Sequence, residues 1–242
     1  MKESDLYEPL KMYFESQRYI IYNEVQETNG MKRADMVLTK ENELIVIEMK
    51  TSLTFNLIDQ ARYWTQVANY VYIAVPYSKT ERSQTAYDVL KMFGIGIIEI
   101  DIEKNKVISI ISGRKREDSL LNKSKLNFLT EEHQTWSKAG SPSSSKYVTG
   151  YSLLMNDVYK ALREASKLGD ERAGWLNLQD LENYINENSR EHVKHYYPDI
   201  KKGLYQSLMK FEDGDIYSVV LKGRRYFKIM DESTKFLNME GE

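Results

Sequence analysis

The sequence predicts an α/β domain built on a mixed sheet covered by helices, followed by a smaller α+β domain. Three observations lead there. The segment Leu44-Ile45-Val46-Ile47 is apolar at every position, as in a strand buried on both faces. Helical and strand periodicities alternate around it. A Ser-rich stretch, KAGSPSSSK at 138–146, then interrupts the apolar pattern. These set a first domain at 1–137, a linker at 138–147 and a second domain at 148–242.

In chain order, Asp5 to Ser16 reads as a helix, Tyr19 to Val25 as a strand and Ala34 to Thr39 as a second strand. Glu43 to Lys50 is the third strand, placed centrally by its unbroken apolar core. Leu57 to Tyr70 carries apolar residues at helical spacing (Leu57, Ala61, Trp64, Val67, Ala68, Val71). Val71 to Val75 is a strand stopped by Pro76. A helix from about Thr80 to Phe93 follows, and Ile95 to Ile102 and Val107 to Ile111 close the sheet. Residues 113–137 leave room for a helix that packs back on this domain.

Composition narrows the function classes. At 242 residues with 41% hydrophobic and 29% charged side chains, the chain reads as a globular protein with no membrane span. The start MKESDLYEPL lacks the pattern of a signal peptide, and there is no cysteine for a disulfide, a thiolate metal site or a nucleophile. A cytoplasmic location is the expectation. The net charge of −2 is spread evenly, so a nucleic-acid surface has to be a local patch.

The chemistry concentrates on the second and third strands. With Glu41-Asn42 as a two-residue hairpin loop, Lys40 faces Glu43, Thr39 faces Leu44 and Asp35 faces Glu48. Directly opposed side chains share one side of the sheet with Cβ atoms roughly 4.5–5.5 Å apart, and Lys50 joins that side by the period of two. Two facing carboxylates repel, and a hard cation such as Mg²⁺ or Mn²⁺ is the economical way to offset the cost. The bland alternative is a structural ion pair of Lys50 with Glu48 or Asp35 at a strand end.

Ala34-Asp35, twelve residues, then Glu48-Met49-Lys50 resembles the PD-(D/E)XK nuclease superfamily of restriction endonucleases, Holliday-junction resolvases and RecB-like nucleases. The resemblance spans roughly residues 3–112 and includes the order of elements, with Ala34 where the motif names proline. It implies a restriction-endonuclease-like sheet and a metal-dependent phosphodiesterase acting on DNA, with RNA left open. Two further positions follow from it. Glu8 on the first helix matches an acidic residue that faces the metal, although Asp5-Leu6-Tyr7-Glu8 also reads as a capping box. Gln60 resembles a glutamine directed at the scissile phosphate, and Gln66 to Tyr70 is a competing QxxxY match. Glu24 is a further acidic candidate, of a kind more often found as a solvated edge charge.

The residue types suit hydrolysis. Asp35 and Glu48, with Glu8 and a strand carbonyl such as that of Met49, would hold one or two cations that polarise the phosphate and acidify water. Lys50 would position that water and neutralise charge on the phosphorane. His133, His192 and His195 fall outside the motif.

After the linker, Tyr151 to Lys167 reads as an amphipathic helix, and Asn177 to Asp180 caps a second helix running to about Asn186. Asp199 starts a third helix with Ile200, Leu204, Leu208 and Phe211 as its core face. Ile216 to Leu221 and Arg225 to Met230 form a hairpin. Three helices and a hairpin look like a winged helix. In that reading Lys201, Lys202, Gln206 and Lys210 on the third helix, and Lys222, Arg224 and Arg225 on the wing, meet DNA. Equally, such lysines form solvated faces, such domains serve as protein contacts or dimer interfaces, and the acidic run from Glu212 to Asp215 argues against a uniformly basic surface. The function expected is a Mg²⁺-dependent deoxyribonuclease; the alternative is a catalytically silent DNA-binding or assembly protein.

Overall fold

The computed structural model describes residues 1–28, 32–80, 82–126, 129–136, 138–140, 148–167, 174–188, 191–210 and 215–229. The chain divides into two compact units, Met1–Val148 and the part beginning at Thr149.

The first unit is a six-stranded mixed sheet flanked by helices. Its elements are a 3-10 turn at Glu3–Leu6, α1 (Tyr7–Ser16), β1 (Ile20–Gln26), β2 (Arg33–Lys40), β3 (Glu43–Met49), α2 (Phe55–Trp64), β4 (Tyr70–Pro76), α3 (Gln84–Phe93), β5 (Gly96–Asp101), β6 (Lys106–Ile111) and α4 (Glu131–Thr135). The strands lie in sequence order, with β3, β4 and β5 parallel to one another and the other neighbours antiparallel. Parallel neighbours need crossover helices, and α2 and α3 supply them. Residues of both join Val46, Val71 and Ile73 in one core, while α1 packs with Ile45, Ile47 and Ile98 in the other. Leu44 to Ile47 are all buried, as an interior strand requires. The sheet and its helical layers are consistent with a restriction-endonuclease-like fold.

The β2–β3 register is the expected one, running from Lys40 opposite Glu43 to Met36 opposite Ile47. Glu41 in the turn takes a left-handed φ of 53°. Helix α2 is shorter than its periodicity suggests. It ends at Trp64, and the amides of Val67 and Ala68 turn back onto the Trp64 carbonyl. Val67, Ala68 and Val71 keep helical spacing only because the turn and the strand after it face the same core. Asn69, buried there, ties three segments together: Oδ1 accepts from the Leu44 amide, and Nδ2 donates to the Arg116 carbonyl and to Asp118. Helix α3 starts at Gln84 rather than about Thr80, since Arg82 is held outside it against Glu99 and the Pro76 carbonyl. Gly94 closes α3 with φ 63°, where an added Cβ would meet Arg114 Cβ at 2.8 Å.

The expected helix within 113–137 is α4, which lies against β1. The expected linker begins too early. Lys138 pairs with Glu8, Ala139 is fully buried and the Gly140 amide donates to Glu24, so these three residues belong to the first unit. Residues 141–147 of that linker lie outside the described residues.

The second unit contains α5 (Gly150–Lys167), β7 (Leu176–Asn177), α6 (Leu178–Asn188), α7 (Glu191–Tyr196), α8 (Ile200–Lys210), β8 (Ile216–Leu221) and β9 (Arg224–Ile229). Its sheet order is β7-β9-β8. Asn177 and Asp180 cap α6 reciprocally, and the Asp199 carboxylate accepts from the Lys202 amide at the start of α8. The hairpin turns on Lys222 and Gly223, both at positive φ. Helix α7 and the short β7 have no counterpart in the sequence-based reading, being too short for a periodicity to show. Phe211, the Glu212 to Gly214 part of the acidic run, and Met230 lie outside the described residues. No helix among the described residues is long and apolar enough to cross a membrane.

The two-sided burial of β4 sets an expectation for stability. Ile73, fully buried, should cost about 2–5 kcal/mol when replaced by alanine. Ile108, 43% exposed on the edge strand β6, should cost less than about 1 kcal/mol. Urea unfolding of Ile73→Ala and Ile108→Ala checks both, and equal losses would contradict the topology.

Candidate functional site

The C-terminal end of β3 lies between β2 and β4, with Lys50 continuing the strand through its amide, which donates to the Ala74 carbonyl. Continuing the β2–β3 register sets Asp35 opposite Glu48, and continuing the β1–β2 register sets Glu24 opposite Asp35. Three carboxyl groups therefore stand in a row across three strands. Glu24 holds a left-handed φ of 54°, a conformation that a residue with a side chain adopts at a cost and that interrupts the ladder there.

Asp35 Oδ2 accepts from the Met49 amide at 2.7 Å. The Asp35 and Glu48 carboxyls face each other closely enough that each influences how the other ionises. Burial first, then the adjacent Asp35, push the carboxyl of Glu48, 4% exposed, well above the usual range. Loss of solvation also raises Asp35, to about 6, against the opposing pull of the Met49 amide. Glu24, 2% exposed, is raised to about 7 by burial and by Asp35, although Arg33 and the Gly140 amide favour its charged form. The second Glu48 contact comes from α2, where Trp64 Nε1 donates to Oε1.

Lys50 Nζ lies 2.7 Å from Glu3 Oε1. Burial alone would lower the ammonium, but Glu3, with Asp35 and Glu48 beyond it, leaves it above its ordinary value. Asp35, Glu48 and Lys50 are thus brought together at one end of β3, Asp35 and Glu48 facing each other and Lys50 beside them.

Other candidates are placed differently. Glu8 is turned to solvent and pairs with Lys138 at 2.6 Å. Nor does it cap the helix; Asp5 accepts from the Lys2 amide instead. The acidic groups around Asp35 are Glu3, from the turn before α1, and Glu24, which is buried and not a solvated edge charge. Gln60, half-buried, precedes Trp64 by one helical turn and shares its side of α2. Gln66 lies beyond the end of α2, where Oε1 accepts from Lys125 at 2.7 Å. His133 is buried, accepting from the Thr130 amide; the side chains of His192 and His195 lie outside the described residues. In the second unit Lys201, Lys202 and Gln206 are exposed on α8, and Lys222, Arg224 and Arg225 are exposed at the hairpin. Lys201 donates to Gln179, and the Lys210 side chain lies outside the described residues.

The signal for Glu24 was the β1 register, which needs the length of the β1–β2 connection. Trp64 and Glu3 carried no sequence signal, since an aromatic in an amphipathic helix reads as core.

The donor set suits a hard divalent cation: a buried Glu48 carboxyl facing the half-buried Asp35 is a pair whose joint ionisation is costly unless positive charge is added between them. Among the described residues no group of three or more His, Cys, Asp or Glu side chains is arranged to hold a metal by itself. A cation here would draw on Asp35 and Glu48, with backbone and solvent oxygens filling its remaining positions.

No family model matches the chain, and no curated protein matches it. Among solved structures, an XisH family protein from Nostoc punctiforme is similar at 17% sequence identity and a TM-score of 0.36, covering 45% of this chain and 99% of that one.

A stability prediction follows from the carboxyl row. Asp35, Glu48 and Glu24 titrate higher in the folded chain than in the unfolded one, where about 4 is ordinary. Between roughly pH 4 and 7 the folded chain therefore holds more protons, and stability falls as pH rises through that window. Thermal unfolding in chelator should show a lower midpoint at about pH 8 than at about pH 5. Mn²⁺ should raise the midpoint more at the higher pH, and Asp35→Asn should reduce both effects. A midpoint indifferent to cation at both pH values would contradict the assignment.

Proposed function

We propose that the chain is a divalent-cation-dependent nuclease that hydrolyses phosphodiester bonds of DNA at the Asp35, Glu48 and Lys50 site. The observation that carries this reading is that the β2–β3 register sets the Asp35 and Glu48 carboxyls opposite each other at the end of a central strand, with Lys50 beside them. Two facing acids, one of them buried, cost the fold stability, whereas cation-dependent phosphodiester hydrolysis makes use of such a pair.

Bound Mg²⁺ or Mn²⁺ would supply the positive charge that polarises a phosphoryl oxygen and makes water more acidic. Asp35 and Glu48 would hold that charge, with the Met49 carbonyl as a further candidate oxygen. Trp64 and the Met49 amide fix the two carboxyls in place. Lys50, released from Glu3, orients the attacking water and stabilises charge that builds on the phosphorus oxygens. Gln60, one turn before Trp64 on α2, would be the helix residue to meet the phosphate. The water oxygen bonds to phosphorus, the ester P–O bond breaks, and a proton passes from the water to the departing oxygen.

The second unit supports a positioning role. Its helices and three-stranded sheet suit a winged-helix-like module, with α8 and the basic Lys222, Arg224 and Arg225 hairpin available to DNA. The competing reading is a silent nuclease-like DNA-binding or assembly protein. What favours it is the engagement of Lys50 by Glu3 and the burial that pushes Glu48 toward its neutral form.

Incubation with supercoiled, linear and branched DNA, and with RNA, separates the two. Cleavage should appear with Mg²⁺ or Mn²⁺, vanish with EDTA, and fall at least about 100-fold in Asp35→Ala and Lys50→Ala. Cleavage that survives either substitution rejects the site, and no cation-dependent cleavage of any substrate favours the silent reading.

A further inference from the structure

The β1–β2 hairpin ends beside the carboxyl row and carries a cluster that the hydrolytic site does not use. Lys32 precedes Asp35 by three residues, which at the rise of a strand sets their backbones about 10 Å apart. Its Nζ lies 5.0 Å from the centre of the Tyr63 ring, and Lys125 Nζ lies 5.6 Å from the same ring. Two ammonium groups from distant segments thus converge on one half-buried aromatic.

That ring is held firmly. Its hydroxyl donates to Glu27, itself only 2% exposed, and its edge meets Trp64 at a centroid distance of 4.9 Å. Trp64 in turn holds Glu48, so the ring is one side chain removed from the carboxyl row. Lys125 is fixed as well: Nζ donates to Gln66, and its carbonyl accepts from the Thr28 amide at 2.8 Å. Leu126 bridges to Glu27 beside it.

Lysines of a solvated face extend into water or pair with surface carboxylates. Among the described residues, Lys32 and Lys125 form no salt bridge, and both are drawn onto Tyr63. Cation–π attraction holds an ammonium in place while leaving hydrogen-bond donors free, which a carboxylate partner would consume. The ring is already engaged by two cations, which disfavours base stacking on it. The ligand chemistry left is a pair of anionic groups spaced along a polymer.

We propose that Lys32 and Lys125, held by Tyr63 as a positioning residue, form a phosphate clamp for the DNA strand that enters the Asp35 and Glu48 site. The proposal rests on the nuclease reading for its substrate. Duplex DNA presents one phosphate per roughly 3.4 Å of axis on each strand, so the clamp sits within a few nucleotides of the scissile bond. Contacts of this kind set position and affinity and carry no base preference.

The test measures binding apart from cleavage. Anisotropy of a labelled DNA duplex is followed in EDTA over a range of salt, for the full chain and its variants. Lys32→Ala with Lys125→Ala should weaken binding about tenfold or more near 0.1 M salt. The double variant should also flatten the slope of log affinity against log salt by roughly 0.9 for each lysine removed. Tyr63→Phe should keep most of the affinity, and Tyr63→Leu should lose much of it with both lysines present. Circular dichroism guards against misfolding of Tyr63→Leu, and the lysine variants stand alone if it unfolds. Unchanged affinity and slope in the double lysine variant overturn the clamp, even where cleavage by the parent chain is intact. A parent chain that binds without cutting, and loses slope in that variant, supports the clamp while the nuclease reading fails.

Discussion

Two carboxyl groups on neighbouring strands are costly to keep charged together where one of them is shut away from water, and at the end of β3 they are nonetheless held facing each other. Asp35 and Glu48 meet there because the two-residue turn at Glu41-Asn42 fixes the register of β2 on β3. A slip of one residue would send Asp35 to the opposite face of the sheet. The apolar run from Leu44 to Ile47 prevents that slip, since both faces of the strand are covered. The core thus fixes where the charges meet.

The neighbouring elements answer to the same pair. Helix α2 brings Trp64 to Glu48, the turn before α1 brings Glu3 to Lys50, and the segment after α4 brings the Gly140 amide to Glu24. Each is a polar contact made by an element whose other residues serve the core. The left-handed Glu24 belongs to this arrangement, as backbone cost accepted to set a third acid opposite Asp35. Without added positive charge the row is a liability that only protonation relieves.

Much of this was legible in the sequence where local rules govern. Six strands and the first helix follow from apolar period, and the β2–β3 register follows from one short turn, so Asp35, Glu48 and Lys50 could be placed on one end of one strand. The surroundings were less legible, because they depend on contacts between segments far apart in the chain. Glu8 has the right residue type on the first helix, yet the turn before it aims Glu3 at Lys50 and leaves Glu8 with Lys138. The apolar spacing of Val67, Ala68 and Val71 suggests a continuing helix, when the shared core accounts for it equally. Helix α7 and strand β7 are too short to register as a period at all.

The account turns on whether a cation binds between Asp35 and Glu48. Crystals grown with Mn²⁺ and measured at an anomalous wavelength test that directly. The expected result is a peak between the two carboxyls, roughly 2.0–2.3 Å from an oxygen of each. No peak between them at millimolar Mn²⁺ would contradict the central claim.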